Sequence, residues 1–533
     1  MNALVPLPVI LPLTATGLSL FIGPHLRSLH RLISITVLAA VLAVDVILLF
    51  EADRAGPLTV HLGDFAPPLG VTLVADRLSA LMLTVSGAVT LIVLVYALGQ
   101  DMADREDRAP LPVFHPAYLV LVAGVSCTFL AGDLVNLYVG FEIMLMASFV
   151  LLTVGGTEPR LRAGSTYTVV SLVSSLVFLA AIAVAYAAAG TVNFAQLSVR
   201  LAEVPGGVRM LIEVLLLTVF GVKAAVFPVA AWLPDSYPTA PAPITAVFAG
   251  LLTKVGVYSM IRAETLLFPG NHLSRVLMAI AFASMLVGIL GAVAQTDLKR
   301  LLSFTLVSHI GFMLYGLALG SRDGIGGAIV YTAHHITVQT TLFLAAGLLE
   351  KRYGTTELTR LGGAARTAPL LAVLWFVPAM NLAGIPPLSG FIGKLGLMRA
   401  GAAEGGTYAY VLLGAVAVTS VLTLYVMAKV WNLAFWRAEP APLPAEGVVL
   451  EDTDEDAEAP AVPPGRAGRG ATPAGACVRT TVRIPRVMTS ATAGAVALGL
   501  AYTVLATPLT GVADRSATEL LARTPYIEAV LNP

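Results

Sequence analysis

Charge is what this chain has least of. Only 12% of its 533 residues are Asp, Glu, Lys or Arg, 57% are hydrophobic, and the formal net charge is zero. That balance excludes an ordinary soluble enzyme with a core beneath a charged surface, and without a long basic run it offers nothing to nucleic acid. Cysteine is nearly absent: Cys127 sits in an apolar run and Cys477 in a polar stretch. Their spacing suits neither a metal nor an iron–sulfur cluster, and a disulfide between them would have to cross environments. There is also no GxxxxGK[ST] phosphate loop and no dinucleotide fingerprint leading a soluble βαβ unit. No cofactor is expected, so any transport must be driven by an ion gradient or by conformational change in a partner. The first apolar run lacks a basic region before it and reads as a span, not as a cleaved signal peptide.

What is abundant is apolar sequence of membrane-crossing length. A bilayer core of about 30 Å takes about 20 apolar residues in a helix. Such windows fall near 3–23, 31–50, 76–98, 114–131, 134–154, 164–189, 210–232, 243–267, 273–293, 300–319, 324–349, 369–399, 407–433 and 487–511. The expectation is an all-α polytopic membrane protein with about 14 transmembrane helices embedded in lipid bilayer. Odd-numbered loops carry Arg27, Arg31, Arg105, Arg108, Arg160, Arg162, Lys299, Arg300, Lys351, Arg352, Arg360 and Arg366, whereas the even ones hold Arg54, Arg200, Arg209, Arg275, Arg322 and few others. The basic side is cytoplasmic, which puts both termini outside.

Composition divides the chain into N-terminal helices (1–113), two helical blocks (114–267 and 273–433), a linker (434–486) and a last span with its tail (487–533). The linker is rich in Pro, Ala and Gly and contains "EDTDEDAEAP", which cannot bury enough apolar surface to fold alone. It is either a tolerated insertion or a docking tail. Both blocks contain an interrupted span: Pro228, Pro234, Pro238, Pro241 and Pro243 in one, Pro378, Gly384, Pro386, Pro387 and Gly390 in the other. Proline removes a backbone donor and clashes with the preceding turn, so helices must break here and leave polar groups in need of water or side chains. Paired breaks point to inverted repeats and a transport path. A rough register sets Lys223 against Lys394 and "YSMIRAETLLF" against "YVMAKVWNLAF".

A charge at bilayer depth costs from about 2.5 kcal/mol upward, so each one needs a partner or water. Glu142 lies in "LYVGFEIMLMASFVLL", Lys223 beside the first break, Lys254 in "VFAGLLTKVGVYSM" and Lys394 just after the second break. Glu142 and Lys223 are either an ion pair that joins two helices or a switchable proton site, since a carboxylate stabilises the ammonium and a dry site opposes it. Lys254 lies too deep to snorkel to an interface and has no acid in its span. His309 could pass a proton or simply satisfy a hydrogen bond; His334 and His335, beside Thr337, Gln339, Thr340 and Thr341, suggest a hydrated polar lane. No third ligand stands at metal-binding spacing to them. Asp235 reads as a cap or bridge of the broken helix, and Lys429 as an interfacial anchor.

The stretches "FEIMLMASFVLL", "VKAAVFPVAAWLPDSYPTAPAPITAVFAGLLTKVGVY", "DLKRLLSFTLVSHIGFML", "HHITVQTTLFLAAG" and "GIPPLSGFIGKLGL" resemble the antiporter-like subunits shared by Mrp-type sodium/proton antiporters and the membrane arm of respiratory NADH:quinone oxidoreductases. Over residues 70–435 the wording is most similar to the D-type Mrp subunit. The resemblance implies fourteen helices, two inverted five-helix repeats with broken helices, and a hydrated polar axis at mid-membrane. It casts Glu142 and Lys223 as the pair of a first half-channel, Lys254 as the central relay, His334 and His335 as the relay of the second repeat, and Lys394 as its terminal proton site. Gln339 departs from the superfamily, where lysine is frequent; an amide cannot carry the mobile proton, so the link from Lys254 to Lys394 would lean on histidines and water. The implied role is proton translocation in a multisubunit Na+/H+ antiporter of the cell membrane, with other Mrp subunits, protons and Na+ as partners. A redox-driven pump module and a purely structural membrane subunit are the alternatives.

Overall fold

The structure, a computed structural model, describes residues 2–22, 26–100, 113–438 and 484–532. Most of the expected linker, with Cys477, lies outside the described residues, as do Arg105 and Arg108.

The chain is a helical membrane bundle. It runs through α1 (Leu7–Ile22), α2 (Arg27–Ala55), β1 (Leu58–His61), β2 (Thr72–Ala75), α3 (Arg77–Gly99), α4 (Phe114–Leu130), α5 (Leu134–Thr153), α6 (Glu158–Ala189), α7 (Phe194–Arg200) and α8 (Gly206–Ala224). After the first break come α9 (Trp232–Ser236), α10 (Ala242–Val247), a π turn (Phe248–Leu252), α11 (Thr253–Arg262) and a second π turn (Ala263–Leu267). The second block holds α12 (Ser274–Ala294), α13 (Leu298–Leu319), α14 (Arg322–Tyr353), α15 (Ala364–Thr367), α16 (Pro369–Ala383), α17 (Ser389–Glu404) and α18 (Gly406–Val430). The C-terminal part is α19 (Arg486–Val504), α20 (Ala506–Ala522) and α21 (Thr524–Leu531).

Ten helices among the described residues are long and apolar enough to cross a membrane, each overlapping a window expected from sequence. Phe114–Leu130 and Pro369–Ala383 are shorter apolar helices. The windows at 210–232 and 369–399 are interrupted where α8 and α16 stop, and α14 occupies 324–349 with a more polar composition. Two features depart from the expected pattern. An antiparallel hairpin pairs Leu58 with Ala75 and His61 with Thr72 between α2 and α3. The last span also ends sooner than position 511: Pro508 offers no amide to the carbonyl of Val504, so the helix stops at Leu505 and a new one begins.

Two stretches are enclosed on every side by protein. Ala242–Leu267 is buried throughout its apolar window, and α14 is buried from Ile325 to Leu349 except at Gly327. α14 touches α3, α10, α13, α16, α17, α19 and α20, which explains how it keeps histidines, threonines and a glutamine away from lipid.

The two blocks repeat a local construction. Asp133 caps α5 through the amide of Asn136 at 2.6 Å, and Asp297 caps α13 through that of Arg300 at 2.9 Å. The residue after each cap donates to a strand-like segment that follows the next long helix, Leu134 to Val192 O at 3.0 Å and Leu298 to Thr356 O at 2.9 Å.

One buried ion pair ties three segments together. Arg262 in α11 reaches Asp76, the cap of α3, through Nη1–Oδ2 at 2.6 Å and Nη2–Oδ1 at 2.9 Å, and its guanidinium lies 5.1 Å from the ring of Tyr526 in α21. Removing one partner strands a buried charge, so Asp76→Ala should destabilise by about 3–5 kcal/mol, whereas the double apolar replacement Asp76→Leu with Arg262→Met should recover most of the loss. Thermal unfolding in detergent reads both; equal stability of Asp76→Ala and the parent would contradict this role.

Candidate functional site

The two breaks share a backbone solution. α8 ends at Ala224 with Ala225 left-handed (φ 56°), and α16 ends at Ala383 with Gly384 left-handed (φ 87°); each is followed by a cis X–Pro bond, Phe227–Pro228 and Pro386–Pro387. Glycine takes that conformation freely, while alanine at 225 is strained there. The lysines fall differently from the sequence register. Lys223 precedes its break by two residues, whereas Lys394 lies in the helix that follows the other break. Lys394 nevertheless returns to the broken end. Its Nζ donates to Leu382 O at 3.0 Å and Ala383 O at 2.9 Å, carbonyls that the interruption leaves without amide partners, and it lies 5.2 Å from the Phe312 ring centroid. A cation at a helix C-terminus also meets the negative end of its dipole.

Lys254 is fully buried. It follows the π turn at Phe248–Leu252, and its Nζ donates to Ala249 O at 2.6 Å. Such turns widen a helix locally and release carbonyls for other donors. Two glycines set the surroundings of Lys254. Gly250 faces Thr340 of α14 so closely that no Cβ would fit, and a Cβ at Gly256 would lie 2.6 Å from Ala224 N and 2.9 Å from Phe220 O of α8. The helix bearing Lys254 is therefore pressed against both the helix of Lys223 and the helix of the histidines.

Beyond Lys254 lies a chain of rings. His335 stands 5.2 Å from His309 and 6.2 Å from Tyr331, and Tyr331 stands 5.5 Å from His334. Tyr331 OH is 2.7 Å from His309 Nδ1, and His309 Nε2 is 3.3 Å from Thr423 Oγ1. His334 Nδ1 is 3.0 Å from Ser389 Oγ, in the first turn of α17, where Asn381 joins the network through its amide at 3.2 Å. Both ring nitrogens of His335 and Nε2 of His334 are buried without a protein partner. Such atoms call for water, since an unsatisfied buried polar atom costs about 1–3 kcal/mol. Lys254 and Lys394 both lie within electrostatic range of His335. Gln339 is not a link: its Nε2 donates to Leu302 O at 2.7 Å and its Oε1 has no partner.

Glu142 and Lys223 are neighbours without direct contact. The carboxylate acts on Lys223 electrostatically, but no ion pair within 4.0 Å joins them among the described residues. Glu142 instead accepts from Ser175 of α6, and the Lys223 ammonium lies 5.6 Å from the Phe141 ring centroid. Asp235 is exposed and binds Arg300 Nη2 at 2.8 Å, a bridge between α9 and α13. Lys429, expected as an interfacial anchor, holds Val293 O at 2.9 Å and Gln295 O at 2.8 Å with its Nζ, at the end of α12.

Sequence reasoning missed Tyr331, Ser389, Asn381 and Ser175. Tyr331 could have been found, since it precedes His334 and His335 by three and four residues and so shares their helical face. Asn381 is the lone amide in an apolar run before "GIPP". No group of three or more metal-binding side chains occurs among the described residues.

Residues 131–423 match the family described as NADH:quinone oxidoreductase/Mrp antiporter, TM. The chain is 39% identical over 441 residues to the D-type subunit of the Na(+)/H(+) antiporter of Alkalihalophilus pseudofirmus, covering 82% of this chain and 87% of the relative. It is 35% identical to the corresponding Na(+)/H(+) antiporter protein of Bacillus subtilis over 82% of this chain and 88% of that one. Among solved structures, a chain of the Mrp complex from Dietzia sp. DQ12-45-1b superposes with TM-score 0.87 at 32% identity over 100% of both chains. A chain of respiratory complex I from Thermus thermophilus shares the fold, with TM-score 0.75 at 24% identity over 97% of this chain and 99% of that one.

Because the atoms facing Gly256 are backbone, no neighbouring rotamer can make room. Gly256→Val should therefore destabilise by about 1–3 kcal/mol, read as a lower melting temperature in detergent. An unchanged melting temperature would mean that α8 and α11 do not meet there.

Proposed function

The chain belongs to the NADH:quinone oxidoreductase/Mrp antiporter family, and from that membership and the geometry above we propose that it is the D-type, proton-translocating subunit of a multisubunit Na+/H+ antiporter. Its partners are the other subunits of that complex, in the cell membrane. The observation that carries this reading is the line of buried titratable groups from Lys254 through His335, His309, Tyr331 and His334 toward Lys394, most of it on stretches encased in protein. A structural subunit has no use for two ammonium groups and three imidazoles kept from lipid at such cost.

The steps follow from the contacts. Lys223 holds a proton when Glu142 is ionised nearby and releases it when that influence weakens, as when Ser175 or water takes over the carboxylate. Lys254 receives the proton across the contact at Gly256, and water on the open nitrogens of His335 and His334 carries it on. Lys394 ends the line; its two carbonyl partners hold the ammonium without neutralising it, so the proton can leave.

The recurrence of the Asp-capped segments and of the left-handed breaks supports two inverted repeats over 114–267 and 273–433. In that arrangement α4, α8, α14 and the α16–α17 pair complete fourteen crossings with both termini outside. Respiratory complex I lends the redox-driven alternative only a common fold.

Sodium-dependent proton flux in inverted vesicles, with the complete operon and matched membrane expression, tests the assignment. Lys223→Ala should abolish the flux while leaving the complex assembled. Flux equal to the parent's would remove Lys223 from the mechanism, and no flux from the intact operon would favour a redox-driven pump.

A further inference from the structure

Two buried glutamates lie outside the relay. Glu213 in α8 and Glu264 in the second π turn are both nine-tenths or more buried. Neither oxygen of Glu264, nor Oε1 of Glu213, has a hydrogen-bond partner. The two carboxyl groups are close enough to act on one another. Glu264 lines a cavity of about 70 Å³ together with Thr265, Asn271, Leu317, Ile325 and Leu521, room for a few water molecules.

Their level in the bundle relates them to the lysines. α8 and α11 run antiparallel and touch where Gly256 meets Ala224. Counting eleven residues from that contact brings Glu213 opposite Leu267, within a turn of Glu264. Each glutamate is ten residues from the lysine on its own helix, Glu213 from Lys223 and Glu264 from Lys254, or about 15 Å along the axis. The lysine pair thus has a carboxyl pair above it, toward the face bearing the 268–273 connection, which the basic residues assign to the outside. Facing groups at this end are His272 and Arg209, both within electrostatic range of Glu213, and Arg523, which spends its guanidinium on Leu266 O at 3.1 Å and on Ser198 O. No ion pair to either glutamate occurs among the described residues.

We propose that Glu213 and Glu264 form a proton-holding carboxyl pair, a port through which Lys223 and Lys254 exchange protons with water at that face of the membrane. Two buried carboxyls within electrostatic range of each other cannot both ionise cheaply, so the pair keeps one proton between them and passes it as the cavity water reorders. The port role rests on the relay reading; the proton-holding pair does not.

Dicyclohexylcarbodiimide tests the pair on the unmodified chain, because it reacts with protonated carboxyls in apolar surroundings. Peptide mass spectrometry of the labelled complex should find one adduct per chain, on Glu264 or Glu213, that diminishes as pH is raised. Absence of an adduct on both overturns the proposal, and since this reading uses no variant, a substitution that fails to assemble cannot blunt it. In vesicles, Glu213→Gln with Glu264→Gln should reduce sodium-dependent proton flux to the level of membranes lacking the complex. Labelling with normal flux in that variant, while Lys254→Ala abolishes flux, would overturn the port and leave the relay standing. Normal flux in both variants would instead overturn the relay reading, and the port with it.

Discussion

An ammonium sealed inside a helix bundle is best held by oxygen, and in a regular helix the carbonyls are already engaged by amides. Interior carbonyls already accept an amide from the next turn, so carbonyls freed by an irregular turn are the better partners for a buried lysine. Lys254 draws its carbonyl from a π turn, and Lys394 draws two from the broken end of α16. The interruptions that weaken these helices are therefore the means by which charge is kept at bilayer depth. The same constraint explains why the lysine-bearing stretch Ala242–Leu267 and the histidine-bearing α14 occupy the centre of the bundle, with other helices shielding them from lipid.

Glycine then sets the separations. At Gly250 and Gly256 any side chain would collide with the facing helix, so these positions bring α14 and α8 close to the segment carrying Lys254. The partnerless nitrogens of His335 and His334 leave water as their natural neighbour. Fixed carbonyls around the lysines and open nitrogens between them suit proton transfer better than permanent ion pairing. The pair of Asp76 with Arg262 is bidentate and also held by Ser79 and Tyr258, which gives it a fastening role.

Much of this was legible from residue order because lipid imposes simple rules. Apolar length marked the spans, proline and glycine marked both breaks, and rare charges marked Glu142, Lys223, Lys254 and Lys394. The limits of legibility are equally physical. A hydropathy pattern cannot tell lipid from protein, so the enclosure of α14 was invisible, and the register between Lys223 and Lys394 ignored that a lysine can reach back across a break. Tyr331 acts through His309 of another helix, Asn381 through Ser389 across the break, and Glu142 accepts from Ser175 of another helix. The hairpin after α2 is a short feature in the connection between two apolar windows, and the helix stop before Pro508 fell inside a longer apolar run.

The central claim is that imidazole, not residue 339, connects the two lysines of the second half of the path. Sodium-dependent proton flux of assembled complex carrying His335→Gln, which keeps a polar side chain but cannot carry a proton, tests it most directly. Flux should fall on the order of a hundredfold, with partial recovery when Gln339→Lys is added. Parental flux in His335→Gln alone would contradict it.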